Sequence, residues 1–373
     1  MKSQWTLTLL LFAAYLFAAP PNENLPTNGD PEADAAAFNF ELIKYRLYQM
    51  DGIIAVRYAD EVESYLRGYL TYGRKDSERL LGNAMIYFPI IEYHLELFNL
   101  PDELKYLPVI ESSLTPYAVS TSGAAGLWQL REGLAEMYGL EVDYYLDERH
   151  DPYKSTQVAL KYLAKLYKRF KSWELALAAY NCGPTRVMEA INSTGTRDFW
   201  KIRDYLPKET SNFIPRFLAA KYLMKYHAYH GLYPNVQYPE MLNSKPVSVY
   251  HSISFDEISR VTGVENALLK RLNPEYTKET VPSNHRGNYV SLPVSAVPRL
   301  TAYVNSQCMA ETFRTVENHR YEVKRGDSLS KIAKRMNCTV EEIKTWNKLN
   351  SSLLQVGQIL IIQKSAGAAQ NRA

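Results

Sequence analysis

The stretch Leu107–Gln129, LPVIESSLTPYAVSTSGAAGLWQ, constrains this chain more than any other. It sets one acid, Glu111, between an apolar pair (Val109, Ile110) and two small polar residues (Ser112, Ser113). After Pro116 comes a Ser/Gly/Ala-rich loop that runs directly into Gly126-Leu127-Trp128-Gln129. Desolvation raises the pKa of a carboxyl beside apolar neighbours, so such a group can hold a proton to donate near neutral pH. A solitary glutamate of this kind equally fits a solvated helix end. The rest of the string decides between the two.

The string resembles the catalytic signature of lytic transglycosylases in the goose-type lysozyme superfamily. That signature has a Glu-Ser pair, a Ser-x-x-Gly-Ala-x-Gly-Leu segment ending in Gln, and a downstream Ala-Tyr-Asn-x-Gly-Pro. All three stand here in order, the last as Ala179-Tyr180-Asn181-Cys182-Gly183-Pro184. Within the superfamily the chain is most similar to the membrane-bound lytic transglycosylase D group, from about Tyr58 onward. The resemblance implies a mainly α, lysozyme-like catalytic domain followed by small α+β modules. It makes Glu111 the catalytic residue, with Ser120, Gln129, Tyr180 and Asn181 binding substrate. It implies action on peptidoglycan glycan strands, without a metal or other cofactor. At the position of Phe213 the group usually carries Tyr, so this chain has one hydroxyl fewer near its substrate.

Length and composition agree with this reading. The 373 residues, 46% of them hydrophobic, allow a large core and more than one domain. A net charge of +3 offers no footprint for nucleic acid. No His/Cys cluster has metal-ligand spacing. The 29 tyrosines suit core packing and, where exposed, stacking on sugar rings.

Residues 1–19 read as a secretory signal, with Lys2 followed by an apolar run too short to span a bilayer. None of Cys182, Cys308 and Cys338 lies near its end, so a lipid anchor is not expected and the cell envelope or periplasm is. A Cys308–Cys338 bridge and three small buried thiols both fit the sequence. Residues 20–37 form a Pro/Asn-rich leader, and 38–235 the catalytic domain. In that domain Leu80, Ala84, Tyr87, Ile91 and Leu95 recur at helical spacing. Gly126 is expected to open a helix through Leu130 and Leu134 to Tyr138, with Gln129 in its first turn. Asp147-Glu148-Arg149-His150-Asp151-Pro152 offers three more carboxylates, but Asp151-Pro152 is the signature of a helix start, so the cluster reads as structural. Ser172 is expected to cap the helix that ends at Gly183-Pro184.

Residues 319–363 read strand, helix, helix, strand and resemble a LysM module, which binds N-acetylglucosamine polymers. In that family the sugar lies between the loop after the first strand and the loop before the second. Here these are Gly326, Asp327 and Ser328, and the stretch around Asn350 and Leu353. An internal repeat at a constant offset of 74 aligns Phe255, Ile258, Leu269, Leu272 and Asn273 with Leu329, Ile332, Ile343, Trp346 and Asn347. Residues 246–293 are therefore expected to be a degenerate LysM-like copy with an insertion over Glu275–Asn288, structural rather than sugar-binding. Residues 294–318 are expected as a linker and 364–373 as a disordered tail.

Three functions compete. The first is a lytic transglycosylase that cleaves the β-1,4 bond after N-acetylmuramic acid and leaves a 1,6-anhydro end. The second is a non-catalytic LysM scaffold, and the third a muramidase on the same fold. Intact Glu111, Gln129, Tyr180 and Asn181 favour an enzyme. No second acid lies in the resembling motifs, which favours the non-hydrolytic route, because hydrolysis usually employs two carboxylates.

Overall fold

The computed structural model describes residues 39–365 apart from Asp51, Tyr58, 313–315, Asn337 and Asn350. The expected signal, the leader, residues 366–373 of the tail and the site candidate Asn350 lie outside the described residues. Two compact units divide between Val297 and Pro298.

The first unit is built on helices: α1 (Phe40–Tyr48), α2 (Asp60–Arg67), α3 (Arg74–Leu97), α4 (Leu107–Ser112), α5 (Glu132–Met137), α6 (Pro152–Phe170), α7 (Trp173–Cys182), α8 (Pro184–Thr194), α9 (Phe199–Ile202), α10 (Lys208–Ser211) and α11 (Phe213–Tyr226). Their starts follow local chemistry. The Asp151 carboxylate accepts the amides of Tyr153 and Lys154 while Pro152 opens α6, and the Ser172 hydroxyl accepts the Leu175 amide at the head of α7. The apolar row of α3 (Leu80, Ala84, Tyr87, Ile91, Leu95) is buried as its spacing predicts.

At the centre lies α11, apolar on nearly every face: Phe213, Ile214, Phe217, Leu218, Ala219, Ala220, Tyr222 and Leu223 are all buried. A helix without a polar side has to be wrapped, and α2, α4 and α7 pack around it. The small buried residues Ala176, Ala178 and Ala179 let α7 lie close to its neighbours. Each large side chain buried here contributes about 1.5–3 kcal/mol.

The helix expected from Gly126 begins only at Glu132. Gly126 and Gln129 both have positive φ, +82° and +48°, and Ala125 bridges to Val119 and Leu130. Left-handed residues at those two points break the helical ladder before it can start. A Cβ on Gly126 would lie 1.8 Å from the carbonyl oxygen of Arg149, so the close approach requires glycine.

The remainder of this unit is the LysM-like copy. Strands β1 (Ser244–Val249) and β4 (Asn288–Pro293) pair antiparallel with Val247 opposite Val290. Between them come β2 (Ile253–Ser254), α12 (Phe255–Thr262), α13 (Asn266–Leu272) and β3 (Thr280–Val281).

The second unit contains most of α14 (Val297–Thr312), then β5 (Val316–Glu322), α15 (Leu329–Met336), α16 (Val340–Asn347) and β6 (Ile359–Ser365). The expected linker is thus largely helical. Leu300 and Val304, one turn apart, are buried, and Pro298 is tolerated in the first turn, where no intrahelical amide bond is lost. Strands β5 and β6 pair antiparallel over a core of Val323, Leu329, Ile332, Ala333, Ile343, Leu360 and Ile362.

One asparagine makes the repeat concrete. Asn347 donates to the carbonyls of Ile343 and Ile361 at 2.9 and 2.8 Å and accepts the Ile361 amide at 2.6 Å. Asn273 does the same with Leu269 and Ser291, at 2.9, 3.0 and 2.6 Å. In each copy this side chain ties the end of the second helix to the last strand.

Candidate active site

Glu111 stands in the last turn of α4, which starts on the buried residues Leu107, Pro108, Val109 and Ile110. Ser113 and Leu114 then take left-handed backbone, φ +53° and +54°, and stop the helix. Two bonds fix this end. The Ser112 hydroxyl donates to the Leu127 carbonyl at 2.8 Å, and Arg216 of α11 donates to the Ile110 carbonyl at 2.6 Å. Glu111 lines a cleft of about 870 Å³. Burial raises its carboxyl pKa to about 8; the Arg216 charge opposes the shift and the Glu209 charge adds to it. At neutral pH it is therefore mostly protonated.

Ser120 and Gln129 line the same cleft, on the loop that follows Glu111. The Ser120 hydroxyl accepts the Ala124 amide at 3.0 Å and closes its own turn. The Gln129 amide group donates to the carbonyls of Gly126 and Ala118 at 3.0 and 3.3 Å. Beneath the loop, Trp128 is fully buried and donates to the Thr156 hydroxyl at 2.8 Å.

The acidic segment before α6 supports this loop. Arg149 grips Asp147 in a two-point pair at 2.9 and 2.7 Å and donates to the Gly123 carbonyl at 2.9 Å. His150 Nδ1 lies 2.7 Å from the Pro116 carbonyl oxygen. None of its carboxylates is among the cleft-lining residues.

Tyr180 and Asn181 reach the cleft from the end of α7, before Gly183. The Tyr180 hydroxyl donates to the Trp128 carbonyl at 2.7 Å. Burial, with the Glu111 charge nearby, pushes its pKa well above the ordinary tyrosine range, so it stays a donor. The Asn181 carbonyl oxygen accepts from the Thr210 hydroxyl at 2.6 Å, and its amide reaches Glu209 at 3.4 Å. All five catalytic-domain candidates thus line one cleft, brought there from three separate stretches of chain.

Two features differ from the sequence reading. Further acids, Glu189 and Glu209, line the cleft, as do Arg131, Arg186 and Arg216. Glu209 and Arg216 lie either side of Phe213, where residue type alone gave no sign of a cleft position. Phe213 is buried in the core and is not among the lining residues.

In the second unit the Asp327 carboxylate accepts the Lys324 amide at 2.9 Å and the Tyr321 hydroxyl at 2.8 Å, closing the turn at Gly326, whose φ is +89°. The Ser328 hydroxyl accepts the Lys331 amide at 3.3 Å. These side chains are engaged within the turn, and Leu353 is 86% exposed.

Among the described residues no helix is long and apolar enough to cross a membrane. The transglycosylase SLT domain family matches residues 88–203 and the LysM domain family residues 321–363. The family described as the LysM-like domain of lytic transglycosylase MltD matches residues 244–307. Among solved structures, the lytic transglycosylase Slt of Pseudomonas aeruginosa is 21% identical, with a TM-score of 0.36 over 57% of this chain and 39% of its own. The 70 kDa soluble lytic transglycosylase of Escherichia coli is 20% identical, with a TM-score of 0.33 over 52% of this chain and 29% of its own. The chain thus spans about two fifths or less of those solved chains. Membrane-bound lytic murein transglycosylase D of Escherichia coli strain K12 is 31% identical over 359 residues, which is 92% of this chain and 75% of that protein. A likeness of that extent, with the SLT and both LysM-type matches in order along the chain, shows that it belongs to the membrane-bound lytic murein transglycosylase D family.

Proposed function

We infer that this chain is a peptidoglycan lytic transglycosylase that works through one general acid–base, Glu111, and is held at the cell wall by its LysM module. The observation that carries the assignment is the half-buried Glu111 carboxyl, with a pKa near 8, in a cleft shared with Ser120, Gln129, Tyr180 and Asn181.

Glu111 protonates the glycosidic oxygen of the muramic acid–glucosamine bond, and the leaving sugar departs with that proton. The substrate's own N-acetyl group stabilises the cation at C1, as in substrate-assisted glycosidases. Glu111, now ionised, takes the proton from the C6 hydroxyl of the same muramic acid, and that oxygen closes on C1. The product is a 1,6-anhydro end, and Glu111 recovers its proton. One carboxyl serves both steps because donation leaves it in the form the second step needs.

Tyr180 holds the Trp128 carbonyl and so keeps the Gln129 turn against Glu111. Ser120, Gln129 and Asn181 orient the sugar and its acetamido group. Arg216 ties the end of α4 in place and tempers the pKa of Glu111, and Glu209 is the acceptor that orients Asn181.

The Glu209 and Glu189 carboxylates on the cleft wall favour a second reading, a muramidase that activates water. Mass analysis of soluble products from purified sacculi separates the two. Anhydro-muramic ends, lighter by one water than reducing ends, are expected, and reducing muramic ends as the main product would replace the lyase with the hydrolase.

A further inference from the structure

The LysM-like copy differs from the complete module in what its insertion does. By the offset of 74, Ser252-Ile253-Ser254 stand where the complete module has Gly326-Asp327-Ser328. In the copy, Ile253 and Ser254 pair as a strand with Val281 and Thr280, and the Phe255 amide donates to the Glu279 carbonyl at 2.8 Å. The two loops that flank a sugar in a LysM module are therefore bonded to each other here, and the groove between them is shut.

The start of the same insertion is bonded to the catalytic domain. Leu146 and Tyr276 form an antiparallel bridge. The Asp147 amide donates to the Glu275 carbonyl at 2.8 Å, and the Thr277 amide donates to the Tyr145 carbonyl at 3.0 Å. The Thr277 hydroxyl adds a bond to the Tyr144 carbonyl at 2.6 Å. From α13, Arg271 donates to the Tyr117 hydroxyl at 3.1 Å and lies over the Tyr238 ring, 4.3 Å from its centroid.

Both contacts lead to the substrate loop in one further step. Asp147 grips Arg149, which holds the Gly123 carbonyl. Tyr117 precedes Ala118, whose carbonyl accepts both the Gly126 amide and the Gln129 side chain. Ser120 lies between those two anchors in the chain, and Gln129 is bonded to the second of them.

We propose that the LysM-like domain is a positioning module for catalysis, in which Arg271 and the Glu275–Thr277 segment hold the Ser120–Gln129 loop in register with Glu111. It acts on the reaction through the loop and does not bind glycan itself. The proposal rests on the cleft assignment above, and extends it to a domain outside the cleft. The physical need is plain: a loop with two left-handed residues has little secondary structure of its own, and small misplacement of orienting groups is costly in rate.

The test uses the full-length chain with Arg271→Ala, Thr277→Ala and the pair, and with Arg271→Lys and Tyr117→Phe as companions. Steady-state kinetics on soluble glycan strands should show kcat/KM reduced about three- to tenfold in the double variant. Arg271→Lys should fall in between, and Tyr117→Phe should add little on top of Arg271→Ala, because the two side chains act through one contact. A loosened loop also admits water to Glu111, so the alkaline limb of the pH profile should move to lower pH. The charged and titratable cleft groups Arg131, Tyr162, Tyr180, Cys182, Arg186, Glu189, Glu209 and Arg216 are identical in all variants, so the limb reports loop closure. The wild-type chain should give the anhydro product; reducing ends from it would refute the lyase reading and leave the rate comparison intact. Unchanged kinetics and limb in the double variant would overturn the proposal. So would a loss that follows the folded fraction alone with the limb unmoved.

Discussion

Replacing Glu111 by Gln should abolish turnover and at the same time stabilise the fold, with a gain that depends on pH in a defined way. In the folded chain burial raises the carboxyl pKa to about 8, from an ordinary 4.5. Between those two values the unfolded chain has released this proton while the folded chain keeps it. Folding then binds a proton, and stability falls as pH rises through the window, by about 1.4 kcal/mol per pH unit. At pH 7 the accumulated cost is about 3 kcal/mol, and it levels off above pH 8. The uncharged glutamine side chain would carry no such cost. For a unit of this size the gain corresponds to a melting point higher by roughly 6–12 °C at pH 7, shrinking to nothing near pH 4.5. Differential scanning calorimetry of both chains from pH 4.5 to 8.5, following the transition of the first unit, measures it directly. A gain that is absent, or that is constant across this range, would refute the buried-acid account. Wild-type activity in the variant would remove Glu111 from the chemistry altogether.

The same carboxyl predicts that wild-type kcat/KM declines above about pH 8, as the acid is lost, and pH–rate profiles on soluble strands check this. Tyr180→Phe removes the bond to the Trp128 carbonyl and should lower kcat about tenfold or more while the melting point moves only a few degrees, read by kinetics beside calorimetry. Asn347→Ala strips the half-buried Ile361 amide and carbonyl of their side-chain partner and should cost the LysM module about 1–3 kcal/mol, measured by denaturant unfolding of the second unit's signals. Deleting residues 319–373 should reduce co-sedimentation with sacculi by on the order of a hundredfold in apparent affinity, and equal pelleting would contradict the tether.

Much of this was legible in the sequence because it is local. A carboxylate before a proline caps α6, and a regular apolar row buries one side of α3. The equally spaced residues from Phe255 to Asn273 and from Leu329 to Asn347 announce two copies of one module. The resemblance of three ordered motifs points to Glu111, Ser120, Gln129, Tyr180 and Asn181, which line one cleft.

What only the tertiary structure decided concerns groups that meet across long stretches of chain. Glu209, Glu189 and Arg216 stand on the cleft wall because α8, α10 and the start of α11 bring them there, and a lone Glu or Arg carries no local sign of that. Gln129 left its expected helix because Ala125 pairs with Val119 and Leu130, and because Gly126 must pass against the Arg149 carbonyl. The insertion at Glu275–Asn288 looked like decay, yet its first residues bond to the Tyr145–Asp147 backbone and its later ones pair with Ile253 and Ser254. The pKa of Glu111 follows the same rule: its apolar neighbours in the chain raised the possibility, and desolvation in the folded cleft, opposed by the Arg216 charge, set its size.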